Sequence, residues 1–223
     1  VQFEDLVAGK PAHPDIAKVT VIGRRSTGVT HEKLDERLHS DFGNYTALSD
    51  AFEGQHVALF CIGAYTGAVP VDEFRKITVD YVLAFAKALQ QGSPQAAFCF
   101  LSGAGADHSE KSRMSFARFK GVAEKGLLAM GFSRLHIFRP GYIYPVMPRR
   151  EPNFSYRMSR WLYPLMRTLM PNMVIPSVEL AAAMVQAGLR GTGAHRDPVL
   201  ENRDIRKLYR AKEKSKATKK KRA

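Results

Sequence analysis

The sequence predicts an α/β fold, a doubly wound parallel sheet with helices on both faces. Three observations predict it. Strand-length apolar runs alternate with helix-length amphipathic stretches. Two of the runs, His56 to Ile62 and Ala96 to Leu101, are apolar nearly throughout, as strands buried on both faces require. Each run ends in a turn rich in glycine or serine, where such sheets gather their ligand-binding residues. A chain of 223 residues fits one such domain.

In chain order, residues 2 to 8 read as the end of a helix, which Gly9, Pro11 and Pro14 close. Lys18 to Gly23 is a β-branched strand ending in glycine. Thr27 to Arg37 is polar and loop-like, and Leu38 to Phe42 is a weak strand candidate. Tyr45 to Phe52 has helical spacing. The strand at His56 to Ile62 closes on Gly63. Val71 to Gln91 is the longest helical pattern and stops at Gly92-Ser93-Pro94. The strand ending at Leu101 leads to Ser102-Gly103. Ser115 to Met130 is a second helix, and Leu135 to Gly141 a further strand and exit. From Pro145 to Pro176 the chain is rich in aromatics and methionine, and Pro164 interrupts its helical run. That segment fits a lid packed on the sheet, or a surface that docks on a membrane or a partner. Ser177 to Leu189 reads as a helix capped by Ser177.

Composition narrows the classes. The net charge is +13, of which +9 falls between Arg206 and Ala223, a block with ten Lys/Arg and one acid. Like-charged blocks are usually solvated and disordered, so the expected organisation is a domain over 1–205 and a basic tail over 206–223. Such a tail suits RNA or an anionic membrane surface, or serves only solubility. Cys61 and Cys99 lie in apolar runs with neither disulfide nor zinc spacing, so they read as buried thiols. The seven histidines form no ligand-spaced cluster, and no metal is expected. No apolar run is long enough to span a bilayer, and no signal peptide is visible. The expected location is cytoplasmic or mitochondrial rather than secreted.

The residues after each strand carry the candidate chemistry. Arg24 and Arg25 follow the first strand, where arginine accommodates a ribose 2′-phosphate; two solvated arginines would look the same. Asp41 and Phe42 present either an adenine contact or a cap and a core aromatic. Gly63 lets a ligand approach, or simply turns the chain. Ser102 and Lys120 would supply a hydroxyl and a cation to a reductase site, or be a turn serine and a surface lysine. No complete glycine-rich dinucleotide fingerprint occurs.

Four ordered motifs, Val19-Thr20-Val21-Ile22-Gly23-Arg24-Arg25, Ala51-Phe52-Glu53-Gly54-Gln55-His56-Val57, Val79-Asp80-Tyr81-Val82 and Phe138-Arg139-Pro140-Gly141, resemble the atypical short-chain dehydrogenase/reductases. The resemblance spans roughly residues 15 to 205 and includes Tat-interacting oxidoreductase-like and NAD-dependent epimerase-like proteins. It implies a Rossmann sheet that binds NADP. It assigns Arg24 and Arg25 to the 2′-phosphate, Asp41 and Phe42 to adenine, and Gly63 to the cleft. Lys120, Pro140 and Gly141 fall near the nicotinamide, and Ser102 and Lys120 take the catalytic serine and lysine places. The family's Tyr-x-x-x-Lys reads Phe116-Ala117-Arg118-Phe119-Lys120, so Phe116 holds the tyrosine position. The family's first strand and glycine loop are not in the sequence. These departures leave two readings: an NADP-dependent oxidoreductase, or a non-catalytic scaffold subunit of a larger assembly.

Overall fold

The computed structural model describes residues 15–146 and 154–220. The helix end expected at residues 2 to 8 lies outside the described residues. The strands are β1 (Val19–Gly23), β2 (Leu34–Leu38), β3 (Val57–Phe60), β4 (Ala97–Leu101), β5 (Leu135–Arg139), β6 (Tyr142–Tyr144), β7 (Val174–Pro176) and β8 (Val199–Glu201). The helices are α1 (Val71–Arg75), α2 (Tyr81–Gly92), α3 (Ser115–Ala129), α4 (Phe154–Leu169), α5 (Ser177–Arg190) and α6 (Asn202–Lys220). A 3-10 segment covers Thr46–Phe52, with its dihedrals broken at Leu48. A π-turn at Lys76–Asp80 joins α1 to α2, so the long helical pattern is one rod with a bulge.

The sheet is parallel with strand order β3-β4-β5-β8, and β1-β2 forms a separate parallel pair. Among the described residues no strand bonds to the free edges of β1 and β3. The consequence shows in burial. All five residues of β4 are buried, whereas every residue of β1 is only half-buried.

Alternation along the strands builds two cores. Phe98, Phe100, Leu135 and Ile137 point to one face, under Val82, Leu89, Phe119 and Leu127 of α2 and α3. Cys99, Leu101 and Phe138 point to the other, under Leu180, Met184 and Ala187 of α5 and Ile205 of α6. A parallel strand covered on both faces must be apolar at every position, and β4 is. The two thiols are free; burial pushes Cys99 well above the usual thiol range and Cys61 up to about 11.

The structure corrects several local expectations. The strand expected at Leu38 to Phe42 is instead β2, inside the stretch read as a loop. Its polar residues are tied down laterally: Lys18 to Asp35 at 2.7 Å, Ser26 to Glu36 at 2.7 Å and Arg37 to Asp50 at 3.1 Å. Helix α4 runs through Pro164, whose carbonyl accepts from Thr168 Oγ1 at 3.0 Å one turn on. Ser177 does not cap α5; its hydroxyl accepts from the Val146 amide at 3.3 Å, while Pro176 precedes the helix. Residues 206–220, read as a disordered tail, continue α6. They contain no glycine or proline and many strong helix formers, and Leu208 and Tyr209 pack against the second core.

Candidate functional site

Because the main sheet is parallel, Gly63, Ser102-Gly103 and Pro140-Gly141 all emerge at its carboxyl end. Helix α3 runs back from that end, and Phe116, Lys120 and Glu124 lie four residues apart on one of its faces. That spacing brings them to the ends of β4 and β5.

Glu124 is the centre of the arrangement and is completely buried. Ser102 donates its hydroxyl to Oε1. Arg139 approaches both oxygens, with Nε at 3.0 and 3.1 Å and Nη2 at 2.5 Å. His108 Nε2 lies 2.6 Å from Oε2. A proton on that nitrogen completes the bond, so its 3.1 Å approach to Arg139 Nη2 is a packing contact between two donors. Arg139 also reaches Glu201 at 3.2 Å. Thus α3, the loop after β4 and the end of β5 are joined through one carboxylate, and Arg139 ties β8 to them through Glu201. Arg139 is held above its ordinary value chiefly by its hydrogen bond to Glu124.

Lys120 is buried beside this network. Its ammonium donates to the Leu101 carbonyl at 2.9 Å and sits 4.7 Å from the centre of the Phe100 ring. Burial pulls its pKa down to about 8, against the opposing pull of Glu124. The surface-lysine reading is therefore excluded by position. Phe116 lays the para edge of its ring on Gly103, so closely that a Cβ at Gly103 would overlap it.

The structure brings Ser102, Lys120, Phe116 and Gly103 together. The remaining sequence candidates are more dispersed. Arg24 and Arg25 are exposed at the end of β1. Asp41 Oδ1 accepts from the Gly43 amide at 3.0 Å, which makes it the cap of its own turn. Phe42 is buried against Tyr81 and Tyr45, a core aromatic rather than an open edge. Gly63 has open space where a side chain would be. Pro140 is buried. The Gly141 amide donates to Asn202 Oδ1 at 3.0 Å, and its α-carbon packs on the Met173 backbone. Glu124, Arg139 and His108 were not among the sequence candidates as a site. The signal available was Glu124 four residues after Lys120, with Arg139 in the Phe-Arg-Pro-Gly motif.

Among the described residues no helix is long and apolar enough to cross a membrane, and no group of His, Cys, Asp and Glu is arranged to hold a metal ion.

No family model matches the chain. Protein HTATIP2 of Rattus norvegicus is 30% identical over 196 residues, covering 85% of this chain and 77% of that protein. Protein FMP52-1, mitochondrial, of Scheffersomyces stipitis is 25% identical over 204 residues, covering 86% and 87%. Among solved structures, the Bordetella bronchiseptica enzyme WbmG in complex with NAD superposes with a TM-score of 0.61 at 12% identity, over 92% of this chain and 73% of that one. The structure of gox2253 gives 0.57 at 16% identity; there the chain spans 59% of the other's length. At these identities the solved structures show the fold. The relationship to HTATIP2 shows more, and the chain belongs to the atypical short-chain dehydrogenase/reductases, the family of that protein, built on the NAD(P)-binding Rossmann fold.

Proposed function

We propose that this protein binds a nicotinamide dinucleotide, with NADP preferred, at the carboxyl end of the sheet, and that Ser102 and Lys120 line the place where its nicotinamide end would react. The observation that carries the reading is the buried Ser102–Lys120 pair at the end of β4, in a family whose catalytic serine and lysine hold those positions. The residues present fit parts of such a cofactor. Gly63 leaves open space beside the cleft, and Arg24 and Arg25 are exposed where a 2′-phosphate would lie. Asp41 and Phe42 fit adenine less well, one being tied to its turn and the other buried. Pro140 and Gly141 support the site through the backbone. Among the described residues no glycine-rich turn bridges β1 and β3.

The bound cofactor would supply hydride chemistry. Ser102, held by Glu124, keeps lone pairs with which to accept a hydrogen bond from a substrate hydroxyl. Lys120 places a cation close by, which favours a negatively charged oxygen. Phe116 has no hydroxyl to give or take a proton, so the proton-transfer part is the weakened one.

The test is titration of the full chain with NADPH and NADH, followed by nicotinamide fluorescence. Tighter binding of NADPH, by tenfold or more, is expected, and replacing Arg24 and Arg25 with alanine should erase the difference. Absence of NADPH binding would end the cofactor reading.

Phe116 also favours a second reading, a non-catalytic scaffold subunit in a larger assembly, with the basic segment contacting RNA or an anionic surface. Deleting 212–223 tests it while sparing Leu208 and Tyr209, which belong to the core. Unchanged assembly after that deletion would remove the basic segment from the argument. A mitochondrial or cytoplasmic location goes with either reading; the fungal relatives are named as mitochondrial.

A further inference from the structure

Helix α4 has one face that nothing in the described fold covers. Met158, Trp161, Leu165 and Leu169 recur at spacings of three and four, which sets them in one stripe along the helix. They are 47%, 80%, 56% and 69% exposed. The next turn extends the patch, since Met170 and Met173 are exposed as well. The opposite side of the helix is anchored. Tyr163 is buried and stacks on Tyr144 with ring centroids 3.8 Å apart and planes 12° apart. The stripe is therefore held outward by packing.

Charge selects what can cover it. Helix α4 carries three arginines and no acid. Arg160 lies over the Tyr144 ring at 5.8 Å, away from the apolar stripe, and Arg167 is exposed. Beside the patch, the Arg206 guanidinium of α6 donates to the Pro171 carbonyl. That contact fixes the start of the basic helix next to Met170 and Met173. On α6, Arg203, Lys207 and Arg210 are exposed and Asp204 is engaged by Lys207 at 3.3 Å. A strip of Trp, Leu and Met flanked by cations, on a helix too short and polar to span a bilayer, has the composition of a helix that lies in the headgroup layer. RNA would use the cations but leave the apolar stripe in water. A second copy of this chain would set the two basic elements against each other.

We propose that α4, with the basic start of α6 beside it, is a docking surface for an anionic lipid bilayer, into which Trp161, Leu165 and Leu169 insert.

Trp161 is the chain's single tryptophan and reports directly on the contact. The full chain is mixed with phosphatidylcholine vesicles with and without 30% phosphatidylserine, and Trp161 emission and co-sedimentation are followed. A blue shift and sedimentation with the anionic vesicles are expected, with quenching by brominated acyl chains. Raising salt from about 0.1 to 0.5 M should weaken binding about tenfold or more, because the charge component is screened. Leu165→Asp with Leu169→Asp should lower partitioning by about 100-fold. Both sites are exposed, and an unchanged circular dichroism spectrum confirms the fold. No binding to anionic vesicles overturns the proposal. So does binding that the double variant leaves intact, which would assign the contact to the basic segment alone. A concentration-dependent blue shift without vesicles would assign the stripe to self-association, and retention by RNA but not vesicles would assign the cations to nucleic acid. The outcome is independent of NADPH titration.

Discussion

Replacing Glu124 with glutamine removes one charge and changes almost no volume, yet the structure makes it an expensive substitution. Glu124 is completely buried, whereas Glu201, the other carboxylate that Arg139 reaches, is largely in solvent and a weaker partner. Arg139 itself is 15% exposed, so its charge is mostly out of water. Glutamine can offer one oxygen to Arg139, but its amide nitrogen would then face either the guanidinium or the His108 donor. The variant therefore leaves a largely buried cation with an incomplete partner set. Breaking one side of a buried pair in this way costs about 3–5 kcal/mol. With a urea slope of about 2–3 kcal/mol/M for a domain of this size, the unfolding midpoint should fall by roughly 1–2.5 M. The discriminating variant is Glu124→Leu with Arg139→Met, which removes both charges and should recover most of the loss. A Glu124→Gln cost under about 1 kcal/mol would refute the reasoning. So would a double variant as unstable as the sum of the single ones, because the penalty would then not arise from an unpaired charge.

Three further outcomes follow from buried groups. Burial, aided by Arg134 and His195, pulls His136 down to about 4 from an ordinary 6.5, so the unfolded chain takes up that proton first as pH falls. Stability is then lost between pH 6.5 and 4, by no more than about 3 kcal/mol, and urea midpoints for His136→Phe should lack that part of the slope. Lys120 is depressed to about 8, so wild-type stability rises with pH from 8 towards 10.5. Lys120→Met should flatten that rise, keep or raise the melting temperature at pH 7, and weaken dinucleotide binding; a large loss of stability would mean the Leu101 hydrogen bond outweighs the burial cost. Gly141→Ala would drive a methyl into the Met173 backbone where β5 leaves towards β6. A cost of about 2–3 kcal/mol is expected from calorimetry, and a neutral substitution would show that this crossing can relax.

The sheet strands were legible where one physical demand fixed them. Residues 57–60 and 97–101 are apolar because both faces are covered, and the sequence pattern follows directly. β2 was not legible, because Leu-Asp-Glu-Arg-Leu is an edge strand whose charges are satisfied laterally by Lys18, Ser26 and Asp50. In α4, Pro164 hid a helix whose backbone tolerates the loss of one donor. The site was half legible. Ser102 and Lys120 could be read because they follow a strand and sit on a helix at recognisable places. Glu124 could not, since an acid within a helix reads as solvent-facing, and its partners lie 15, 16 and 22 residues away in sequence. Only the fold shows that the loop after β4 and the end of β5 converge on one carboxylate of α3.

The geometry around Phe116 leads to the last prediction. Ser102 spends its only proton on Glu124, and Lys120, buried behind it, directs one of its three to the Leu101 carbonyl. What the site lacks is an acid that can point outward. Phe116 stands four residues before Lys120, with its para carbon against Gly103. A hydroxyl on that carbon would emerge beside Ser102, whose oxygen retains acceptor capacity. The nearby ammonium would favour the ionised phenol, as proton transfer near neutral pH requires. The ring must shift slightly to admit the oxygen, because the Gly103 backbone is already in contact. That shift should cost less than about 1.5 kcal/mol, since Phe116 is only partly buried. Phe116→Tyr should therefore stay folded and give NADPH-dependent reduction of quinone or aldehyde probes at least tenfold above the parent, within the range that general acid catalysis supplies. The gain should vanish in Phe116→Tyr with Lys120→Met. If the tyrosine variant binds NADPH, stays folded and gains nothing, Ser102 and Lys120 form a structural remnant, and the scaffold reading takes precedence.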